Sequence, residues 1–392
     1  MSFSQGQQAI AIPGPSPLPA SVLRAMHRAS PDIYGAELEE LVQRVHAQLT
    51  RLGGGGVARL ASYAGNGHAG WEAANTNLFN RRQKALVLAT GSFGLGWAAS
   101  AGSLGIDVEM IDFGNNRAAD PQRLADRLRA DREGAIHAVL VTQVDTASGV
   151  RNDIPALRAA MGNHPALLAV DAIASLGSEA MRMGDWGVDV VVSASQKGLM
   201  TPPGMAFVWQ SERAAALPRS DLATPYWDWS MRAGPGEAWR YWGGTPPVQL
   251  LFALDEALRL LLDEEGLDAA FARHAGLAAA VWAAFDAWGA GSNGIALNVA
   301  DPAQRGLPVT AAHLPGAAAL REWTATKAGV TLGVAIGAER PDDALRIAHM
   351  GHASAHMTLG VLAVMEAGMR ALGIAHGQGG LDAATAVIAA RA

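Results

Sequence analysis

A chain of 392 residues is too long for a single hydrophobic core, and half of its residues are apolar with 17% charged, the balance of a globular protein of two domains. A net charge of -6 without any basic run leaves no electrostatic footprint for nucleic acid. Cysteine is absent, which excludes disulfides, thiolate metal sites and cysteine nucleophiles. No stretch of about 20 apolar residues offers a membrane span. The opening MSFSQGQQAIAIPGPSPLP has no basic stretch followed by an apolar one, so it does not read as a secretory signal and the chain reads as cytoplasmic.

The prolines of residues 11–19 keep them out of helix, so residues 1–20 are expected to form an arm laid across a surface. From Ser21 to about Leu52, Val22, Met26, Leu38, Leu41, Val45 and Leu49 recur at helical spacing, interrupted near Pro31. Then short apolar runs begin. Ala85–Ala89, Val108–Ile111, Ala138–Thr142, Leu167–Val170 and Val188–Ser193 read as buried strands, with helix-like segments such as Asp120–Arg132 and Ile154–Met161 between them. This alternation predicts an α/β fold with a mostly parallel sheet covered by helices. The helical pattern from Val248 to Leu262 opens a second unit. Ile295–Val299, Pro308–Ala312 and Val330–Leu332 would give it a smaller sheet, covered by a helix over Thr358–Leu372. The expected division is a large domain over 21–255 and a small C-terminal domain over 256–392.

Three motifs carry chemistry. In Ser193-Ala194-Ser195-Gln196-Lys197-Gly198 a lysine follows an apolar strand amid residues too small to offer it a salt bridge. Schiff-base chemistry needs such a lysine, with part of its amine neutral. A lysine in a loop also commonly reaches solvent. Asp171 ends the apolar run Leu167–Val170, at the strand end where open α/β sheets place their sites. An acid there suits a pyridinium nitrogen, although an aspartate at a strand end also caps helices. Gly65-Asn66-Gly67-His68-Ala69-Gly70 opens a helical stretch, a ready phosphate site. It is also a literal G-x-G-x-x-G. A dinucleotide site would then need an acid about 20 positions on, and no Asp or Glu occurs from Ala73 to Ile106.

GNGHAGWEAA, TASGV, VDAIASLG, DWGVDVVVSASQKGLMTPPG and WGGTPPV together resemble the class V aminotransferases, specifically the alanine/serine–glyoxylate group. The likeness runs from PGPS near Pro13 to RIAHMG near Arg346. It implies a fold-type I pyridoxal-phosphate transferase: a large domain with a seven-stranded, mostly parallel sheet and a smaller C-terminal α/β domain. The implied cofactor is pyridoxal 5'-phosphate. Asn66, Gly67 and His68 would hold its phosphate with help from Gln196, and Phe93 would stack on the ring. Thr146 would meet the ring hydroxyl, Asp171 the pyridinium nitrogen, and Lys197 would be the Schiff-base and proton-transfer lysine. WGGTPPV would reach the phosphate from the other subunit through Thr245 and Trp242, which implies a homodimer with its active site at the subunit interface. Trp242 stands where relatives often carry tyrosine.

Arg346 would clamp the substrate carboxylate, for which a planar guanidinium gives a two-pronged fit. Gly14 and Tyr34, the latter within His27–Gly35, would lie near the substrate. The implied reaction moves an amino group from alanine, serine or aspartate to glyoxylate or pyruvate. A pyridoxamine–pyruvate aminotransferase acting on free vitamin, and a catalytically silent cofactor-binding protein, are the rival readings. The desulfurases of the same class need a mobile cysteine, which this chain lacks. His349, His352 and His356 have helical spacing but no acidic partner nearby, so no metal is expected.

Overall fold

The computed structural model describes residues 2–232, 237–291 and 293–391. Its large sheet has seven strands in the order Arg59–Gly65, Gly204–Gln210, Val190–Ala194, Leu167–Asp171, Ile136–Thr142, Lys84–Ala89 and Asp107–Asp112. Gly204–Gln210 pairs antiparallel with both neighbours and the remaining pairings are parallel. Leu167–Asp171 and Val190–Ala194 are buried at every position, which is why they read as unbroken apolar runs. One face of the sheet presents Leu88, Val141 and Val170 to the helices Ala36–Leu52 and Val248–Leu258. The other presents Val87, Leu140 and Val192 to Gly67–Leu78 and Ser92–Ser103.

The chain passes from Lys84–Ala89 to Asp107–Asp112 on one side, then to Ile136–Thr142 on the other. Strand order therefore reverses at Lys84–Ala89. Ligands of open α/β sheets bind in the crevice at the carboxyl ends of strands beside such a reversal.

A second sheet of five strands runs Ala9–Ala11, Val330–Val334, Ala344–Ala348, Val309–His313, Ala296–Leu297. It packs with the helices Leu267–Trp288, Ala317–Ala328 and Ala355–Leu372 around a separate core that includes Phe285, Leu320 and Met365. Two of its strands differ from expectation. Ala9–Ala11 pairs in parallel with Val330–Leu332, so the N-terminal segment is part of this sheet before it crosses to the large domain. Ala344–Ala348 is a strand whose apolar run is broken by Arg346. Helix Leu267–Trp288 serves both cores, Ala270 in the first and Ala280 onward in the second. Among the described residues no helix is long and apolar enough to cross a membrane.

Candidate active site

The carboxyl ends of the central strands surround a cavity, where open α/β sheets bind their ligands. Gly67, His68, Phe93, Thr146, Asp171, Gln196 and Lys197 all line it. Seven of the residues singled out from sequence are thus brought together from five separate segments.

At one end lies the start of helix Gly67–Leu78. Asn66 caps it, its side chain accepting the His68 N–H at 3.1 Å. A Cβ at position 67 would come within 2.6 Å of Ile173 Cδ1, so this turn approaches the cavity wall closely. Gln196 adds a side-chain oxygen that is buried without a hydrogen-bond partner. The free N–H groups of a helix N-terminus are chemistry suited to a phosphate.

Asp171 closes the other end. Its Oδ1 accepts the Ile173 N–H at 2.7 Å and its Oδ2 accepts Trp71 Nε1–H at 2.9 Å. Burial, with Asp145 nearby, pushes its carboxyl up to about 7 against these two donors and the Lys197 charge. A buried acid with two neutral donors and no bonded cation is suited to a protonated ring nitrogen. Lys197 stands between the two ends. Burial and the Arg346 charge lower its amine to about 8, with Asp171 opposing. About a tenth of it is then neutral at pH 7, against less than a thousandth for an ordinary lysine. That neutral fraction is the nucleophile and base the site needs.

Phe93 sits in the first turn of helix Ser92–Ser103, which follows Lys84–Ala89, and Asp145 fixes that helix start. Asp145 Oδ2 accepts the N–H groups of Phe93 and Gly94 at 2.8 and 3.0 Å, while Oδ1 accepts Ala147 N–H at 2.9 Å. One buried carboxyl group therefore ties the helix start at Phe93 to the turn at Thr146. Arg346, 6% exposed, donates from Nε to Val334 O and from Nη1 to Thr146 O, both at 2.7 Å. Burial brings its guanidinium down to about 10, so it stays cationic at neutral pH.

The arm brings Gly14 to Lys197. Lys197 Nζ donates to the Pro13 carbonyl, and Ser16 Oγ donates to the Lys197 carbonyl at 2.8 Å. Gly14 has φ +103°, and a Cβ there would lie 2.4 to 2.8 Å from the Lys197 side chain.

Three expected residues are placed elsewhere. Trp242 is 1% exposed and belongs to the same core cluster as Leu41 and Val45, outside the cavity. Thr245, three residues on, is exposed and outside the cavity. Tyr34 is 80% exposed and lies with Glu39 and Trp239 in a separate depression. The histidines after Arg346 do not converge. His349 is buried with Nε2 2.9 Å from Thr310 Oγ1, whereas His352 and His356 are exposed.

Trp71, Asp145 and Pro13 were not anticipated as site residues. Trp71 lies one helical turn past Gly67 in the GNGHAGWEAA run, a spacing that puts both on one helix face. Asp145 directly precedes the TASGV motif, although a buried acid leaves no mark on its neighbours in sequence.

These features fit pyridoxal 5'-phosphate: an anion-binding helix start, an acid for a ring nitrogen, an aromatic wall and a lysine with a lowered pKa. When bound, that cofactor supplies the electron sink that the side chains lack. Residues 64–318 match the family described as aminotransferase class-V. A serine–glyoxylate aminotransferase of Methylorubrum extorquens is 35% identical over 292 residues, 72% of each chain. An L-aspartate–glyoxylate aminotransferase of Paracoccus denitrificans is 36% identical over 300 residues, again 72% of each. The crystal structure of pyridoxamine–pyruvate aminotransferase from Mesorhizobium loti is similar over 100% of both chains, with a TM-score of 0.88 and 30% identity. On site and likeness together, the chain belongs to the class V aminotransferases, fold-type I enzymes that work with pyridoxal 5'-phosphate.

Proposed function

We propose that this enzyme moves an amino group from a small amino acid (alanine, serine or aspartate) to glyoxylate or pyruvate. The observation that carries the reading is a partly neutral Lys197 in a cavity that Asp171 also lines, with the Arg346 guanidinium near enough for its charge to lower the amine. Val334 O and Thr146 O hold Nε and Nη1 of Arg346, which orients the guanidinium for a substrate carboxylate. Lys197 Nζ then takes and returns the proton at the substrate's Cα. Phe93 excludes water from one side of the cavity, and Asp171 would hold a protonated ring nitrogen of the cofactor, whose electron-sink chemistry would acidify the Cα proton. Incubation with ¹⁵N-labelled alanine, serine or aspartate and glyoxylate tests this. Labelled glycine supports the reading, and its absence with all three donors and either acceptor contradicts it.

The full-length likeness to pyridoxamine–pyruvate aminotransferase supports a second reading, in which pyridoxamine is the donor. The Asn66–His68 turn at a helix N-terminus favours a retained phosphate and hence the first. The names of the two glyoxylate-using relatives also support glyoxylate as acceptor.

The working unit we propose is a homodimer with the site at the subunit interface. Thr245 and Tyr34 are exposed and outside their own cavity, as residues that complete a partner's site would be. Sedimentation at a range of concentrations tests it, an active monomer being the contrary result.

A further inference from the structure

Helix Gly67–Leu78 touches both ends of the cavity. Its first turn carries Gly67 and His68 at one end, and one turn later Trp71 reaches Asp171 at the other. Trp71 is 2% exposed. Its ring lies parallel to that of Trp97, 6.2 Å away with 9° between planes, and meets Phe93 and His68 edge-on at 6.3 and 4.8 Å. Packed this way the indole has no room to turn, and Nε1–H stays aimed at Asp171 Oδ2.

We propose that Trp71 is a positioning residue for transamination: its indole N–H fixes the plane of the Asp171 carboxylate and keeps that acid ionised against a cationic ring nitrogen. One helix then sets both poles of the cofactor. The inference rests on the reading of Asp171 as the ring-nitrogen partner. Two donors hold Asp171, the Trp71 indole and the Ile173 amide, and both favour its charged form. The charged groups that face it are Lys197, which favours ionisation, and Asp145, which opposes it. With burial already raising this acid, loss of one donor from two is a large change. Trp97 provides the contrast. It shares the stack, but its Nε1–H donates to Asn75 Oδ1 at 3.0 Å.

The test is equilibrium titration of apoprotein with pyridoxal 5'-phosphate from pH 5.5 to 9, for wild type, Trp71→Phe, Trp97→Phe and Asp171→Asn. Trp71→Phe should bind about tenfold more weakly at pH 7, and its acid limb should move up by about one pH unit. Trp97→Phe should keep the wild-type limb even where its melting temperature falls. An unshifted limb in Trp71→Phe, or an equal shift in Trp97→Phe, overturns the proposal. Asp171→Asn separates the two levels. If it binds like wild type, the reading of Asp171 has failed; if it binds weakly while Trp71→Phe does not, only the role of Trp71 has failed. Should Trp71→Phe not fold, the indole resonances of ¹⁵N-tryptophan-labelled apoprotein decide. One N–H signal should move upfield in Asp171→Asn, and an unchanged set overturns the proposal.

Discussion

Arg346 Nη1 donates to the carbonyl oxygen of Thr146 at 2.7 Å, joining two residues 200 positions apart. The bond links the small domain's strand Ala344–Ala348 to the loop that carries Thr146 and Asp145. On the roles proposed for Arg346 and Thr146, substrate carboxylate and cofactor ring would be referred to a single frame. A shift of one domain against the other would move Arg346 relative to Lys197, so the two domains must be docked for the reaction geometry to exist.

Arg346→Lys keeps the charge but loses the fork that bonds Val334 O and Thr146 O. The specificity constant kcat/KM for the amino acid and for the 2-oxo acid should each fall by about 100-fold, carried mainly in KM. Steady-state kinetics on both half-reactions checks this. A variant with wild-type KM values would remove Arg346 from the carboxylate site.

Lys197 should titrate near 8 in the apoprotein, because burial and Arg346 disfavour its ammonium form. Trace labelling with acetic anhydride, read by mass spectrometry, measures this directly. Lys197 modification should rise with pH and level off soon above 8. A curve still climbing well above that pH would contradict the lowered amine.

Gly14→Ala forces a side chain onto a left-handed backbone and into the Lys197 methylenes. The strain costs about 1 kcal/mol or more. The larger effect should be on Lys197: bound cofactor per protomer, read by visible absorbance, should fall several-fold while far-ultraviolet circular dichroism is unchanged. Full occupancy in the variant would show that the arm does not hold the lysine.

Acid should loosen the small domain through two buried histidines. His274 and His349 are each driven down to about 3, chiefly by burial. Both are neutral in the folded protein, and the unfolded chain takes up protons below about 6.5. Their contribution to stability is therefore complete above pH 6.5 and is lost as pH falls from there toward 3. At pH 5.5 each should cost about 1.4 kcal/mol. Urea midpoints across pH 5 to 8 check the trend, and His349→Gln should flatten it. A midpoint that rises on acidification in that range would contradict it.

The parallel strands were legible because burial on both faces leaves an unbroken apolar run, as in Leu167–Asp171. Lys197 and Asp171 could be placed because each ends such a run. Ala9–Ala11 was not legible: it is three residues long and its partner is Val330–Leu332, far along the chain. The Trp71–Asp171 bond spans 100 positions and depends on how one helix lies on the sheet, which no local pattern encodes. Nor does the Trp239–Trp242 run tell which ring turns inward: Tyr241 is only partly buried while Trp242 is fully enclosed.

The most direct measurement is the visible spectrum of the purified protein with bound cofactor, followed as alanine, serine, aspartate or pyridoxamine is added singly. A band that bleaches with one of the amino acids and returns on adding glyoxylate or pyruvate is the expected result, and it would name the donor. In Lys197→Ala the cycle should be lost, with turnover reduced at least about 10³-fold. A wild-type protein that acquires no visible band with pyridoxal 5'-phosphate, or a Lys197→Ala variant that still turns over normally, would contradict the central role given to Lys197.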